Sequence, residues 1–196
     1  MMSELILTRR QVLKSTLALT GLSLASPLLA QTALPLTPSC GRGEALTLAQ
    51  TEGPYFTPNT PLKTDFSADD PKGKVFILQG RVLNQACVPQ AQALVELWHA
   101  DSLGVYDNEE YQLRGHVLTD VQGRFQFKTV LPGLYPGRAR HFHLKVQRRN
   151  GRVLTTQLYF PNERSNAADW IYDPALVMQV GVVQGVTAGS YQFIVA

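Results

Sequence analysis

The residues of this chain best suited to bind a metal ion are two histidines separated by one residue. The 196-residue sequence has four histidines, and two of them form the tripeptide His141-Phe142-His143. Successive side chains of a β-strand point to opposite faces, so both imidazoles would project together while Phe142 points the other way. Two imidazoles that converge from one strand supply half of a metal site. The alternative is a polar pair on the surface of an edge strand, and the spacing alone leaves both interpretations open.

Short apolar runs separated by turn signals supply the strands that such a site requires. Helical periodicity is absent, apart from short helical turns expected near residues 66–71 and 165–170. With 15 Gly and 12 Pro in the chain, this pattern predicts an all-β fold, an antiparallel β-sandwich with long loops that carry the metal site. Residues 120–123 (DVQG) are typical of a hairpin loop between two of the strands. The expected strands are residues 75–83, 93–98, 117–119, 124–127, 141–146, 153–160, 177–183 and 191–195.

The N-terminal segment has the pattern of an export signal. Arg9 and Arg10 precede a mildly apolar run that ends at Ala30. The arginine pair resembles a twin-arginine signal, and the run is shorter than the roughly 20 residues that a membrane span needs. We therefore expect residues 1–30 to be a twin-arginine-type signal peptide, and the mature protein to be exported to the periplasm or the extracellular space without a membrane anchor.

Two further segments follow the predicted signal. Residues 31–48 are rich in Pro, Thr and Gly and predict a flexible linker, so the folded domain is expected over residues 49–196. Removing the signal removes three basic residues and one acidic residue, which lowers the formal net charge from +3 to +1. So small a charge argues against a nucleic-acid partner. Cys40 and Cys87 are the two cysteines, and export would permit a disulfide between them.

Five motifs follow one another along the chain. They are residues 51–55 (TEGPY), 93–101 (ALVELWHAD) with 104–106 (GVY), 132–136 (PGLYP), 138–143 (RARHFH) and 156–160 (TQLYF). In this order they resemble the motifs of one enzyme family, the intradiol ring-cleavage dioxygenases, to which protocatechuate 3,4-dioxygenase and catechol 1,2-dioxygenase belong. The resemblance extends from about residue 48 to the C-terminus. It implies a non-haem iron enzyme that cleaves a catechol-type ring with O2 to a cis,cis-muconate-type diacid.

The same resemblance implies one Fe(III) per chain, bound by Tyr106, Tyr135, His141 and His143. The chemistry agrees with this set of ligands. A phenol has a pKa near 10 and binds metals poorly while protonated, but a trivalent cation stabilises the phenolate. Two phenolates favour Fe(III) over Fe(II).

The resemblance also implies roles for residues around the iron. Tyr135 would leave the metal and accept a proton from the substrate, and Arg138 would stabilise the negative charge that develops on the ring. Arg140 is the alternative to Arg138 if a loop shift alters the correspondence. The substrate contacts would be Gly53, Pro54, Tyr55 and Gln157.

Three departures from the protocatechuate enzymes affect the substrate and the assembly. The segment between Tyr135 and His141 is short, and Gly137 replaces an aromatic residue there, so the pocket entrance is expected to be reshaped. Those enzymes also divide the GPY segment and the iron ligands between two kinds of subunit. This chain carries both, so the pocket is expected to be completed either within one chain or across a homo-oligomer contact.

Two other functions compete with iron-dependent ring cleavage. A non-catalytic, transthyretin-like β-sandwich that serves as a binding or spacer module would fit residues 80–97, but it would not need the four tyrosine and histidine ligands. A zinc hydrolase is weakened because tyrosine is an uncommon zinc ligand and no carboxylate accompanies His141 and His143.

Overall fold

The computed structural model describes Gly43 and residues 45–196. Eight strands form two four-stranded sheets, and the helical elements of this part are two short 3₁₀ helices, Arg164–Ala168 and Pro174–Leu176. The predicted all-β fold is confirmed. The strands are β1 (Val75–Asn84), β2 (Leu94–Trp98), β3 (Arg114–Leu118), β4 (Arg124–Val130), β5 (His141–Gln147), β6 (Leu154–Tyr159), β7 (Gln179–Val183) and β8 (Val186–Val195).

One sheet has the strand order β4-β1-β8-β7 and the other has the order β3-β2-β5-β6. All neighbours are antiparallel except β1 and β8, which run parallel from the pair Phe76–Thr187 to the pair Asn84–Val195. A parallel pair needs a long crossover connection. Here the connection includes all the other strands of the domain, so no hairpin pattern in the sequence could reveal this pairing.

The apolar core lies between the two sheets. Buried and partly exposed residues alternate along β1, which places Phe76 and Leu78 in the core. From the facing sheet, β5 contributes Phe142 and Leu144. The rings of Phe76 and Phe142 meet across the gap, with centroids 5.6 Å apart. Because Phe142 faces this core, the histidines on either side of it must face away from it.

The turn at residues 120–123 forms as predicted, but the hairpin does not. The N–H of Gly123 donates to the carbonyl of Asp120 at 2.9 Å, and the Asp120 carboxylate accepts from the N–H of Arg124 at 2.8 Å. However, β3 pairs with β2 whereas β4 pairs with β1, so the turn carries the chain from one sheet to the other. Turn residues specify a local reversal of direction, and the packing of the two sheets decides which strands pair.

The two predicted helical turns have different outcomes. Residues 165–170 overlap the 3₁₀ helix Arg164–Ala168. Residues 66–71 instead form hydrogen-bonded turns without a helix, in which the N–H of Asp69 donates to the carbonyl of Phe66 at 3.0 Å.

The last residues of the predicted linker are part of the domain. Thr47 donates its N–H to Ile194 at 3.0 Å and accepts the Ile194 N–H at 2.9 Å, and Leu48 accepts the Thr156 hydroxyl at 2.7 Å. The flexible-linker prediction is therefore wrong for residues 45–48. These residues lack an apolar pattern, but hydrogen bonds to β8 and β6 hold them to the domain. Cys87 is disulfide-bonded. The predicted signal and Cys40 lie outside the described residues.

No helix in the described part of the chain is long and apolar enough to cross a membrane.

Candidate metal centre

The outer face of the β3-β2-β5-β6 sheet carries the candidate site. The strand register aligns Arg114, Trp98, His143 and Gln157 in one row across the four strands. Sheet faces turned away from the core are usually solvated, yet all four of these side chains are buried. A segment of chain that precedes β1 covers them.

We call residues 50–57 the covering segment. It begins at β6, where the N–H of Gln50 donates to the carbonyl of Thr155 at 2.9 Å. It ends over β3, where the Arg114 guanidinium donates to the Tyr55 carbonyl and to the Thr57 hydroxyl, each at 2.8 Å. Because this segment covers the outer face of the sheet, the side chains on that face form the floor of a water-poor pocket.

Three donor atoms converge beneath the covering segment. His141 Nε2 and His143 Nε2 are 3.0 Å apart, and the hydroxyl of Tyr106 lies 3.2 Å from the first and 3.1 Å from the second. Their residues are only 4%, 3% and 7% exposed. Ligands at about 2.0–2.1 Å from one first-row metal ion lie about 2.9–3.4 Å from each other at ordinary bond angles, so this triangle has the dimensions of one face of a coordination shell.

The His141 imidazole is held so that its Nε2 presents a lone pair. His141 Nδ1 lies 2.6 Å from the carbonyl of Ala139, which makes Nδ1 the protonated nitrogen and leaves Nε2 free for a metal. Burial lowers the pKa of His141 to about 4 and that of His143 well below its usual value. The His143 ring stacks on Trp98, with centroids 4.9 Å apart and planes 10° apart, whereas its buried Nδ1 has no hydrogen-bond partner.

The buried phenol of Tyr106 needs a cation nearby to ionise. Burial raises its pKa above the ordinary value of 10.0, so without a metal the hydroxyl keeps its proton. No group of three His, Cys, Asp or Glu residues suited to a metal occurs in the part of the chain that the structure describes. The side-chain oxygen within 3.2 Å of both imidazole nitrogens is that of Tyr106, and a highly charged cation suits such a ligand best.

The loop that carries Tyr106 is braced against the loop that carries Tyr135. The N–H of Gly133 donates to the carbonyl of Asp101 at 2.7 Å. Gly104, at φ +89°, lies directly against the carbonyl of Leu134, and a Cβ at this position would clash with it. Glycine is required here both for its backbone angle and for the close approach of the two loops.

Tyr135 lies beside the donor triangle and is bonded to Tyr55. The two hydroxyl groups are 2.7 Å apart, and this hydrogen bond raises the pKa of Tyr55. The ring of Tyr55 stacks on Tyr106 with centroids 4.5 Å apart, and the ring of Tyr135 stands edge-on to Tyr106 at 5.8 Å. Three tyrosines from three loops thus form one aromatic cluster at the donor atoms.

Within the covering segment, Gly53 lies against the ring of His143. A Cβ on this residue would be 3.4 Å from Cε1 of His143, and its φ of +73° also favours glycine. Pro54, the next residue, is exposed. Because Gly53, Tyr55 and the donor triangle come together within one chain, these parts of the pocket do not need a second subunit.

Arg138 is held by a buried carboxylate. Its Nε donates to both oxygens of Asp169, at 3.1 and 2.9 Å, and Nη2 donates to the Gln157 side-chain oxygen at 2.6 Å. The amide nitrogen of Gln157 donates to the carbonyl of Thr51 at 3.0 Å. Gln157 therefore links Arg138 to the covering segment, and it is not free to rotate toward another partner.

The alternative arginine has other partners. Arg140 bonds Glu163 at 2.9 Å and the carbonyl of Pro132. It supports the loop that carries Tyr135, whereas Arg138 bonds Gln157, the residue paired with His143 across β5 and β6.

Three residues of the site were not predicted from the sequence. Asp169 accepts the N–H of Ala139 at 2.9 Å as well as Arg138, so one carboxylate orients both Arg138 and the carbonyl that holds His141. Arg114 joins the covering segment to the carbonyl of Asp107, next to Tyr106. The third is Trp98. For Trp98, its position in an expected strand was the available signal; Arg114 lies before the expected strand 117–119 and Asp169 lies in a loop, so for these two there was none.

A separate cleft of about 810 Å³ opens elsewhere on the sandwich, lined in part by Gln79, Leu118 and Arg124. None of its lining residues belongs to the donor triangle, and Leu118 pairs with Leu94, at the end of β2 opposite Trp98. The ligating groups are therefore grouped away from this cleft.

Comparison with known proteins places the chain in one family. The family model Dioxygenase_C, described as Dioxygenase, matches residues 51–193. The chain is 33% identical over 121 residues to the protocatechuate 3,4-dioxygenase beta chain of Burkholderia cepacia, covering 53% of this chain and 52% of that protein. It is 30% identical over 134 residues to catechol 1,2-dioxygenase 2 of Acinetobacter lwoffii, covering 55% and 48%. The chain thus spans about half the length of these relatives.

Solved structures agree with this assignment. The dioxygenase domain of a dioxygenase carbohydrate-binding protein fusion from Streptomyces sp. SirexAA-E matches with a TM-score of 0.74 and 41% identity, over 77% of this chain and 98% of that one. The 3-chlorocatechol 1,2-dioxygenase of Rhodococcus opacus 1CP matches with a TM-score of 0.69 and 27% identity, over 76% and 72%. The motifs, the fold and these relatives lead to one conclusion: the chain belongs to the intradiol ring-cleavage dioxygenase family.

Proposed function

We propose that this chain is a non-haem Fe(III) intradiol dioxygenase that cleaves a catechol-type ring with O2 to a cis,cis-muconate-type diacid. The observation that carries the proposal is the buried triangle formed by the Tyr106 hydroxyl and the two Nε2 atoms of His141 and His143. Tyr135, at the edge of this triangle, completes the proposed set of four ligands for one iron per chain.

The donor set fits Fe(III) better than it fits zinc. Zinc sites are built from thiolate, imidazole and carboxylate, whereas this cluster offers phenol and imidazole. Iron in the trivalent state, when bound, supplies the Lewis acidity that deprotonates a catechol and makes its ring reactive toward dioxygen. A non-catalytic spacer, the competing function, has no use for three buried donors in contact, so we do not favour it.

The chain's own residues have three tasks in this reaction. Tyr135, which would be a phenolate while it holds the iron, would take a catechol proton on its phenolate oxygen and become the neutral phenol, and the hydroxyl of Tyr55, 2.7 Å away, would hold that oxygen in place by a hydrogen bond. Arg138, paired with and oriented by Asp169, would offer guanidinium N–H groups as hydrogen-bond donors beside the electron-rich ring. Gly53, which has no side chain, leaves space for the ring beside His143, and the covering segment excludes water.

Iron loading provides the direct test. We expect the purified protein, loaded with iron, to bind about one Fe(III) per chain and to turn red-brown through tyrosinate-to-iron charge transfer. With catechol and O2, it should form a ring-opened diacid that mass spectrometry and ultraviolet absorbance detect. A zinc-loaded sample is the control and should be colourless and inactive. An iron-loaded sample that is colourless and does not open catechol would refute the proposal.

We also propose that residues 1–30 direct export by the twin-arginine route. The support is the Arg9-Arg10 pair followed by an apolar run. Expression of the full chain in a bacterium with an intact twin-arginine system should give an exported protein whose mass indicates a start near residue 31. Lys at both arginine positions should retain the full-length chain inside the cell. Export of that variant at the normal level would contradict the twin-arginine route.

A further inference from the structure

The basic side chains around the donor triangle are the groups that could bind an anionic substituent on the substrate ring. Relatives with different substrates in their names, protocatechuate and catechol, match this chain about equally well. Protocatechuate is 3,4-dihydroxybenzoate and carries a carboxylate, whereas catechol has no charged substituent. Membership of the family therefore does not tell whether the substrate ring carries a charged substituent. The charged residues at the site must decide this.

Two of these cations belong to the sheet face itself. Lys145 lies on the same face of β5 as His143, two residues further along. Its ammonium group bonds the Glu52 carboxylate and lies 3.3 Å from the centre of the Phe56 ring. The second is Arg114, which is fully buried and donates to two carbonyls and one hydroxyl. Lys145 is therefore already paired, and Nη1 and Nη2 of Arg114 are occupied by neutral acceptors, while its buried Nε has no hydrogen-bond partner.

The other two cations flank the start of β5. Arg138 Nε donates to both carboxylate oxygens of Asp169, whose side chain has no solvent exposure. Its Nη2 donates to the side-chain oxygen of Gln157. Arg140 pairs with Glu163 at 2.9 Å. Three of the four cations are therefore neutralised by carboxylates, and the fourth is occupied by neutral acceptors.

The walls next to these pairs are aromatic. Tyr55 stacks on Tyr106, and Phe56 packs against Trp98 with ring centroids 5.0 Å apart. A substrate carboxylate that enters such surroundings loses its hydration and gains no cation in return, which is costly. A neutral substituent of the same size loses far less.

From these pairings we infer that the site selects catechols with neutral ring substituents and discriminates against catechols that carry a carboxylate. This inference rests on the proposed function and names the substrate class for it. The discrimination is set by Asp169, Glu163 and Glu52, because each already occupies a cation that could otherwise pair with the substrate.

The test compares two substrates of nearly equal size, 3,4-dihydroxybenzamide and 3,4-dihydroxybenzoate. With the iron-loaded protein, we expect kcat/KM for the amide to exceed that for the benzoate by at least about tenfold. The dissociation constants, measured without O2 by titrating the visible spectrum, should differ in the same direction. Equal values, or a preference for the benzoate, would overturn the inference while leaving ring cleavage intact. Failure to cleave both compounds and unsubstituted catechol as well would instead contradict the proposed function.

A variant separates charge pairing from the electronic difference between the two substrates. Glu52→Gln leaves Lys145 without its carboxylate, so the amide-to-benzoate ratio should fall several-fold toward the benzoate. Arg164→Gln is the matched control, since Arg164 is exposed in the 3₁₀ helix Arg164–Ala168, and its ratio should stay unchanged. An unchanged ratio in Glu52→Gln, or a changed ratio in Arg164→Gln, would overturn the assignment.

Discussion

Replacing Tyr106 with Phe is expected to remove the charge-transfer colour of the iron-loaded protein and to lower ring-cleavage turnover by at least about a thousandfold. Residues that only support a metal site typically contribute about 10–100-fold, and the loss of a ligand should exceed this. The change removes one oxygen, which lies 3.2 and 3.1 Å from the two Nε2 atoms of His141 and His143. The ring still stacks on Tyr55, so we expect the fold to persist. The measurements are iron content, the visible spectrum and kcat.

Tyr111→Phe is the matched control for this prediction. Tyr111 is exposed, and its hydroxyl donates to the carbonyl of Pro58 at 3.1 Å, away from the donor triangle. Its colour and turnover should equal those of the unmodified enzyme within about twofold, since surface substitutions away from special features have small effects. If Tyr106→Phe kept its colour and its turnover, Tyr106 would not be a ligand.

Replacing Asp169 with Ala is expected to lower the free energy of unfolding by about 3–5 kcal/mol, the cost of removing one partner of a buried ion pair. The carboxylate accepts from Arg138 Nε and from the N–H groups of Ala139 and Ile171, and its side chain is inaccessible to solvent. Its loss leaves the guanidinium and two N–H groups without their acceptor. Denaturant unfolding of the metal-free protein measures this effect without any contribution from iron.

Asp65→Ala is the comparison for this second substitution. Asp65 also pairs with a cation, Lys128, at 3.0 Å, but both side chains are about half exposed. An exposed pair of this kind contributes about 0–1 kcal/mol. The two aspartates therefore differ in burial, and that difference should set the size of the effect. An Asp169→Ala variant no less stable than Asp65→Ala would show that the pair with Arg138 does not hold the site together.

The histidine pair shows what the alternation of side chains along a strand can predict and what it cannot. The i and i+2 spacing predicted that His141 and His143 share a face opposite Phe142, and the structure has this arrangement. This spacing did not predict which face of the sheet would be buried in the sandwich. The answer came from Phe142 and Leu144, which pack against the other sheet and leave the histidines on the outside.

The covering segment shows what the sequence pattern could not reveal. The resemblance implied that Gly53 and Tyr55 contact the substrate, but not how they reach the donor triangle. They do so because the segment crosses the sheet face from β6 to β3, bonded to Thr155 at one end and to Arg114 at the other. These contacts join residues that are far apart in the chain, and no local pattern encodes them.

The sequence by itself determined the β-sandwich, the parity of the histidines and, through ordered motifs, the family. These properties follow from local alternation, from turn chemistry and from residue identity, all of which are present in the chain before it folds. Only the tertiary structure decided that β3 and β4 belong to different sheets, that β1 and β8 run parallel, and that Asp169 orients Arg138. Each of these depends on which distant surfaces bury the most apolar area together and on which buried charges then find partners, and both are properties of the packed molecule as a whole.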